Sequence, residues 1–200
     1  DNWEHVKKYL LQNYFHNSLI LVLAAGALTA ILGASLAWIV AAYDFPGRDF
    51  LSWGLILPLA VPPYIGAYVY QGMFSYTGLL QTTLRNNFQL QLSQQYFDFM
   101  NLKGAIFIYT IFLFPYVFLM IKAFLAKQSA SLLESSRLLG KSDSTIFFKI
   151  ILPLSRGAVV AGSSLVMMEV LNDYGVVKYF GISTFTTAIF KSWFGMGDLP

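Results

Sequence analysis

Glu169 and Asp173 stand four residues apart in a stretch, residues 166–175, that carries no other charge. A spacing of four places two side chains on one face of a helix. An ionised carboxylate inside a bilayer costs about 2.5–3.5 kcal/mol on insertion scales, so this pair is expected to face protein or water rather than lipid. Carboxylate oxygens also suit a hard cation. Two readings stay open. In one, the face borders a polar path across the membrane, with Tyr174 and flexible Gly175 near its outer mouth. In the other, Glu169 hydrogen-bonds a neighbouring helix and Asp173 caps a helix end. Other chemistry is scarce. The chain has no cysteine, which excludes disulfides, thiolate metal sites and a cysteine nucleophile. His5 and His16 match no ligand spacing, and no metal site is assigned. Gly140-Lys141-Ser142 resembles the end of a phosphate-binding loop, but Ser135 stands where that motif needs its first glycine. The chain is therefore expected to bind no ATP and to have no catalytic residues of its own.

The elements that must position these acids are membrane helices. Of 200 residues, 56% are apolar and only 12% charged, whereas a soluble domain has about 25% charged. The net charge of +3 is too small to point to nucleic acid. Uncharged or nearly uncharged runs cover residues 17–43, 51–73, 104–121 and 158–177. Each approaches or exceeds the ~20 residues that cross a bilayer as a helix, and a spanning segment must satisfy its own backbone. The fold class is thus an all-α membrane protein with four spanning helices in this segment. Lys103 and Lys122 are expected to close off the third span. Small residues recur every fourth position in the first span, Gly26-Ala30-Ala34 and Gly33-Ala37-Ala41, a spacing that lets another helix approach closely. Pro58, Pro62 and Pro63 should kink or break the second span. Such a break either lines a cavity or simply bends a packing helix.

Charge gives the orientation. Lys122, Lys127, Arg137, Lys141, Lys149 and Arg156 cluster between the third and fourth spans, opposed only by Glu134 and Asp143. The positive-inside rule makes that loop cytoplasmic. The turn at residues 44–50 then lies on the same side, and the 77–101 loop and both termini face outward. Residues 184–194 read as a short amphipathic helix, with Phe185, Ile189, Phe190 and Trp193 on its apolar side, lying in the outer interface.

Within the cytoplasmic loop, Glu134-Ser135-Ser136-Arg-Leu-Leu-Gly140 is followed after nine residues by Ile150-Ile-Leu152-Pro153. Residues 131–139 can form one short helix, with Leu132, Leu133, Ser136 and Leu139 or Gly140 along one side. Gly140 permits the left-handed conformation that ends it. Ser142 or Asp143 can cap a second helix through Phe147 and Phe148, which Pro153 should break before the next span. The pattern resembles the signature loop of binding-protein-dependent ABC permeases, Glu-Ala-Ala, three residues, Gly, nine residues, Ile-x-Leu-Pro. The departure is serine at 135 and 136 in place of alanine, and small residues at both positions preserve a close approach.

The resemblance extends along most of the chain. Phe45-Pro46-Gly47-Arg48, Leu57 to Pro63, Met168 to Gly175 and the 184–195 region look like one half of a ferric-iron permease, though sulfate, molybdate, thiamine and polyamine permeases share the architecture. It implies a single MetI-like transmembrane domain over residues 1–200, half of a longer duplicated protein, in the bacterial inner membrane. It implies a cytoplasmic coupling loop at 126–153, whose Glu134, Ser135, Ser136, Gly140, Ile150, Leu152 and Pro153 dock into an ATPase subunit. It also implies partners: two ATPase subunits carrying ATP and its Mg2+, a solute-binding protein, a second permease half and the lipid bilayer. Glu169, Asp173, Tyr174, Gly175, Pro62 and Pro63 are the candidate translocation-path residues. A gradient-driven transporter would leave the loop pattern to coincidence, and a mere membrane anchor would need neither the acids nor the spaced Gly and Pro.

Overall fold

The computed structural model describes residues 11–89, 98–127 and 131–195. Among these residues every regular element is helical and there is no strand. Helix α1 (Leu11–Ala42) and helix α5 (Leu102–Lys127) are each long and apolar enough to cross a membrane alone. At about 1.5 Å per residue they reach roughly 48 and 39 Å, more than the ~30 Å of a hydrocarbon core. Two further spans exist only if broken pairs are counted as one each, Arg48–Ala60 with Pro63–Phe88 and Asp143–Leu154 with Arg156–Asn172.

The first broken pair follows from its prolines. Helix α2 (Arg48–Gly54) starts from Gly47, whose φ of 85° is left-handed, and leads into a 3-10 turn at Leu57–Ala60. The chain then breaks, and Pro63 opens helix α3 (Pro63–Phe74), where a missing N–H costs nothing. The expected break is therefore present. Three other boundaries differ from the sequence reading. Helix α5 does not stop at Lys122 but runs on to Lys127. Lysine is a good helix former, and the Lys122 ammonium donates to Ser52 Oγ. The 77–101 segment contains a helix, α4 (Leu79–Phe88), tied down where Arg85 donates to the Tyr76 carbonyl at 2.6 Å; residues 90–97 lie outside the described residues. Where the sequence suggests one run over 158–177, the structure has the shorter α9 (Arg156–Asn172), followed by a break and helix α10 (Gly175–Tyr179). The short helix expected near 184–194 is present as α11 (Phe185–Gly195), with Ile189 and Trp193 64% and 67% exposed.

The chain divides into two compact units, one from the described parts of Asp1–Ala24, Val61–Tyr109 and Val170–Pro200, the other from Ala25–Ala60 and Thr110–Glu169. In the second, small residues set the packing as their spacing implied. A Cβ added to Gly33 would lie 2.8 Å from Val117 Cβ and 2.9 Å from the Phe118 nitrogen. Gly162 of α9 approaches the same turn of α5, 2.6 Å from Val117 Cα by the same construction. Gly26 makes room for Met167. In the first unit the core is aromatic: Phe99 stacks on Phe74 at 5.2 Å and meets Phe107 and Phe180 edgewise or tilted, both at 5.7 Å. Helix α11 is fixed there to the start of α1 by Phe185 N–H donating to Ser18 Oγ (3.1 Å) and Asn17 Nδ2 donating to the Ser183 carbonyl (3.0 Å).

Candidate functional site

The signature loop folds into two short helices joined by a left-handed turn. Helix α6 (Ser131–Leu138) ends where Gly140 takes a φ of 70°. Lys141 N–H donates back to the Ser136 carbonyl (3.3 Å) and Gly140 N–H to the Arg137 carbonyl (2.9 Å). Those two bonds make a Schellman motif, which satisfies carbonyls that the helix end would otherwise leave open. Ser142 then caps helix α7 (Asp143–Ile146), its Oγ accepting from Thr145 N–H at 3.4 Å. Both capping expectations hold.

The expected break at Pro153 does not. The helix widens to a π turn over Phe147–Ile151, with Leu152 N–H donating to Phe147 O five residues back, and continues through α8 (Leu152–Leu154). The wider turn absorbs a residue whose N–H is missing. The bend comes two residues later, where Ser155 Oγ bonds back to the carbonyls of Ile151 (2.8 Å) and Leu152 (3.3 Å). Such back-bonding bends helices, and here the axis turns by 70° into α9.

Exposure sorts the loop residues into two sets. Glu134, Ser135 and Gly140 are exposed, as are Leu138 at 88% and Leu139 at 77%. Ser136 is buried, Ile150 and Leu152 are half-buried, and Pro153 is exposed. The expected single apolar side of α6 is therefore corrected at Leu139, which lies on the outside while Ser136 lies within; the side chains of Leu132 and Leu133 lie outside the described residues. Beneath the turn, Trp38, Ala42, Ile146 and Ile151 form a buried cluster with Leu125 and Phe147 against it. Above it sits a polar ring that sequence reasoning missed. Arg137 Nη2 donates to the Ala42 carbonyl (2.9 Å), its Nε to Asp143 Oδ1 (3.2 Å), and Tyr43 OH to Asp143 Oδ2 (2.9 Å). The hydrogen bond to Asp143, with its negative charge, pushes the Tyr43 phenol above its ordinary range, against a lowering from Arg137. Arg137 and Asp143 entered the sequence reading only as loop charges, and nothing in their spacing announced a partner about a hundred residues away.

The paired acids do not share a helix. Helix α9 ends at Asn172, so Asp173 follows its last turn. Asp173 Oδ2 accepts from Val176 N–H and from Tyr109 OH, each at 2.8 Å, and thereby caps α10. Glu169, on α9, is exposed. Within the first unit, Gly175 rests on Tyr64, the neighbour of Pro63: an added Cβ would lie 2.8 Å from Tyr64 Cβ. Two cavities of about 380 and 350 Å³ share Tyr68 and Tyr179 there; Gln71 and Ser75 help to line the first, Tyr64 and Lys178 the second. Gln71 Oε1 is buried without a hydrogen-bond partner, and Lys178 Nζ stands 5.5 Å from the Tyr174 ring centre. Among the described residues no three His, Cys, Asp or Glu side chains converge as a metal cage.

The chain is similar in sequence to known transport permeases. The chain is 27% identical over 177 residues to the Fe(3+)-transport system permease protein FbpB 2 of Haemophilus influenzae, covering 88% of this chain and 31% of that one. It is 26% identical over 165 residues to the putative 2-aminoethylphosphonate transport system permease protein PhnU of Salmonella choleraesuis, covering 82% and 57%. It is 30% identical over 152 residues to the molybdenum transport system permease protein ModB of Haemophilus influenzae, covering 74% and 62%. The chain thus spans between about a third and three fifths of these relatives' length. Residues 29–196, including both loop helices and α9, match the binding-protein-dependent transport system inner membrane component, and the chain belongs to that family.

Proposed function

We propose that this chain is the permease part of an ATP-driven importer, in which the α6–α7 knob faces the cytoplasm and docks on one of two ATPase subunits. The observation that carries this reading is the exposed surface of the knob. Leu138 and Leu139, 88% and 77% exposed, follow the exposed Glu134 by about one helical turn, at a helix end that Gly140 closes. Two leucines so exposed beside an acid suit a partner's cleft, where desolvated side chains supply affinity and a charge-assisted hydrogen bond supplies register. Ser135, Ser136 and Gly140 keep the turn slim, and Ile150, Leu152 and Pro153 hold it to the next span. ATP and Mg2+ belong to the ATPase, whose closure draws the knobs of two permease halves together. The spans then open outward to a solute-binding protein, and hydrolysis reverses the motion.

For the cargo we propose ferric iron, supported by the likeness to FbpB 2 and by the exposed Glu169 carboxylate, a hard oxygen donor. The residues proposed for the path remain those named from the sequence: Glu169, Asp173, Tyr174, Gly175, Pro62 and Pro63. A small oxyanion is the second reading. Lys178, a cation among the residues lining the second cavity, favours it, as do the phosphonate and molybdenum relatives.

The test is uptake by the full permease, assembled with its ATPase and binding protein in proteoliposomes, offered labelled ferric ion, molybdate or a phosphonate. ATP-dependent accumulation of iron alone is the expected result. Accumulation of an oxyanion instead would select the second reading, and uptake that persists without the ATPase, driven by an ion gradient, would overturn the importer.

A further inference from the structure

Two half-exposed charged groups of the knob form a closed circuit with the end of the first long helix. Arg137 lies in the last turn of α6, and Asp143 opens α7. Both are bound to the same dipeptide. Arg137 Nη2 donates to the carbonyl of Ala42, the last residue of α1, at 2.9 Å, and Asp143 Oδ2 accepts from Tyr43 OH at 2.9 Å. The circuit closes through Arg137 Nε donating to Asp143 Oδ1 at 3.2 Å. The Ala42 carbonyl belongs to the last turn of a helix, where no intrahelical donor exists, and it sits at the negative end of the helix dipole. A guanidinium, with donors in a fixed fork, can serve that carbonyl and a carboxylate at once; a lysine ammonium is a point charge without that geometry.

From this arrangement we propose that Arg137, held by Asp143 and Tyr43, is a positioning residue that carries movement of the knob into α1. The inference rests on the reading of the knob as an ATPase dock. Its logic is mechanical. The exposed side of the knob holds Glu134, Leu138 and Leu139, while the circuit and the Trp38, Ala42, Ile146 and Ile151 cluster lie against the chain's own helices. Both ends of the Gly140 turn are tied to residues 42–43, so displacing the knob either moves the end of α1 with it or breaks two bonds to ionised groups. The apolar cluster alone tolerates sliding, because hydrophobic contact is not directional. The circuit removes that freedom.

The experiment compares Arg137→Ala, Arg137→Lys and Tyr43→Phe in the full transporter, reconstituted with ATPase and binding protein, by the ratio of solute transported to ATP hydrolysed. That ratio is insensitive to permease abundance, which scales both rates together. Arg137→Ala should leave ATPase capture unchanged and lower the ratio roughly three- to tenfold, the range for losing a half-exposed, hydrogen-bonded ion pair. Arg137→Lys should recover only part of it, and Tyr43→Phe should lose least. Glu134→Ala serves as the control for docking, where capture itself should fall. A wild-type ratio in Arg137→Ala, with capture lost in Glu134→Ala, would overturn the positioning role and leave the dock standing. Loss of capture in Arg137→Ala would make Arg137 a docking contact and also overturn it. If neither substitution changes capture or ratio, the dock itself is wrong.

Discussion

Within the chain itself, replacing Gly140 separates backbone conformation from side-chain packing. Its φ is 70°, and a Cβ built there meets nothing within 4 Å. A substituted side chain therefore finds open space, and only the left-handed torsion opposes it. For an ordinary L-residue that torsion costs roughly 1–2 kcal/mol, less for asparagine, whose short polar side chain tolerates it, and more for a β-branched residue. Stability should fall in the order Gly, Asn, Ala, Val. A loss of 1–2 kcal/mol shifts the closed turn's population by about five- to thirtyfold. The loss should appear where the turn's hydrogen bonds are, at the amides of residues 140 and 141, which bind the Arg137 and Ser136 carbonyls. Hydrogen exchange at those amides, read beside ATPase capture and solute-stimulated hydrolysis, gives the measurement. Insertion into the membrane should be normal throughout the series. Equal behaviour of Gly140→Val and Gly140→Asn would refute the reasoning, because size cannot distinguish them in open space and φ must.

Four further substitutions test separate links. Gly162→Leu should sharply lower the melting temperature and abundance in detergent, since its Cβ would lie 2.6 Å from Val117 Cα and a main-chain atom cannot step aside; an unchanged melting temperature would refute the close packing. Glu134→Ala should weaken ATPase pull-down roughly ten- to a hundredfold without changing which solute is carried, as expected for losing one charged contact of about 1.5–3 kcal/mol. Asp173→Ala should destabilise the fold by removing the acceptor for Tyr109 OH and Val176 N–H, whereas Glu169→Gln should leave the melting temperature unchanged and lower uptake per permease molecule. Full normalised uptake by Glu169→Gln would remove that carboxylate from the path.

What sequence made legible was whatever is set by short-range chemistry. The uncharged runs located α1 and α5, because a bilayer dictates length and apolarity together. Gly140 and Ser142 could be placed at a helix end and a helix start, because few residue types tolerate those torsions or satisfy those amides. Small residues at every fourth position in α1 announced a close approach, though not its target. Gly33 and Gly162 meet on Val117 from different helices, and no local pattern in either one names α5. The Arg137 circuit was hidden for the same reason: its acceptor on Ala42 is a main-chain atom, invisible in composition.

The boundaries that sequence misplaced share a cause, which is that a residue's helix preference can be satisfied in more than one way. Lys122 read as the end of a span because charge is costly in lipid, yet its ammonium donates a hydrogen bond to Ser52 Oγ and helix α5 itself continues past it. Pro153 read as a breaker because it lacks an N–H, yet a π turn before it lets the helix pass. Asp173 read as a partner of Glu169 because a spacing of four is helical, but that inference requires the helix to persist through both residues. Asn172 and Asp173 are residues that prefer to bond the backbone at a helix end, and Asp173 does so, accepting from Val176 N–H to start α10 while Gly175 lets Tyr64 close in. The carboxylate that looked like half of a cation-binding pair is engaged in holding a helix start. Glu169 is the one exposed carboxylate left in that stretch for a role in transport, and its substitution separates the two readings more cleanly than the pair could.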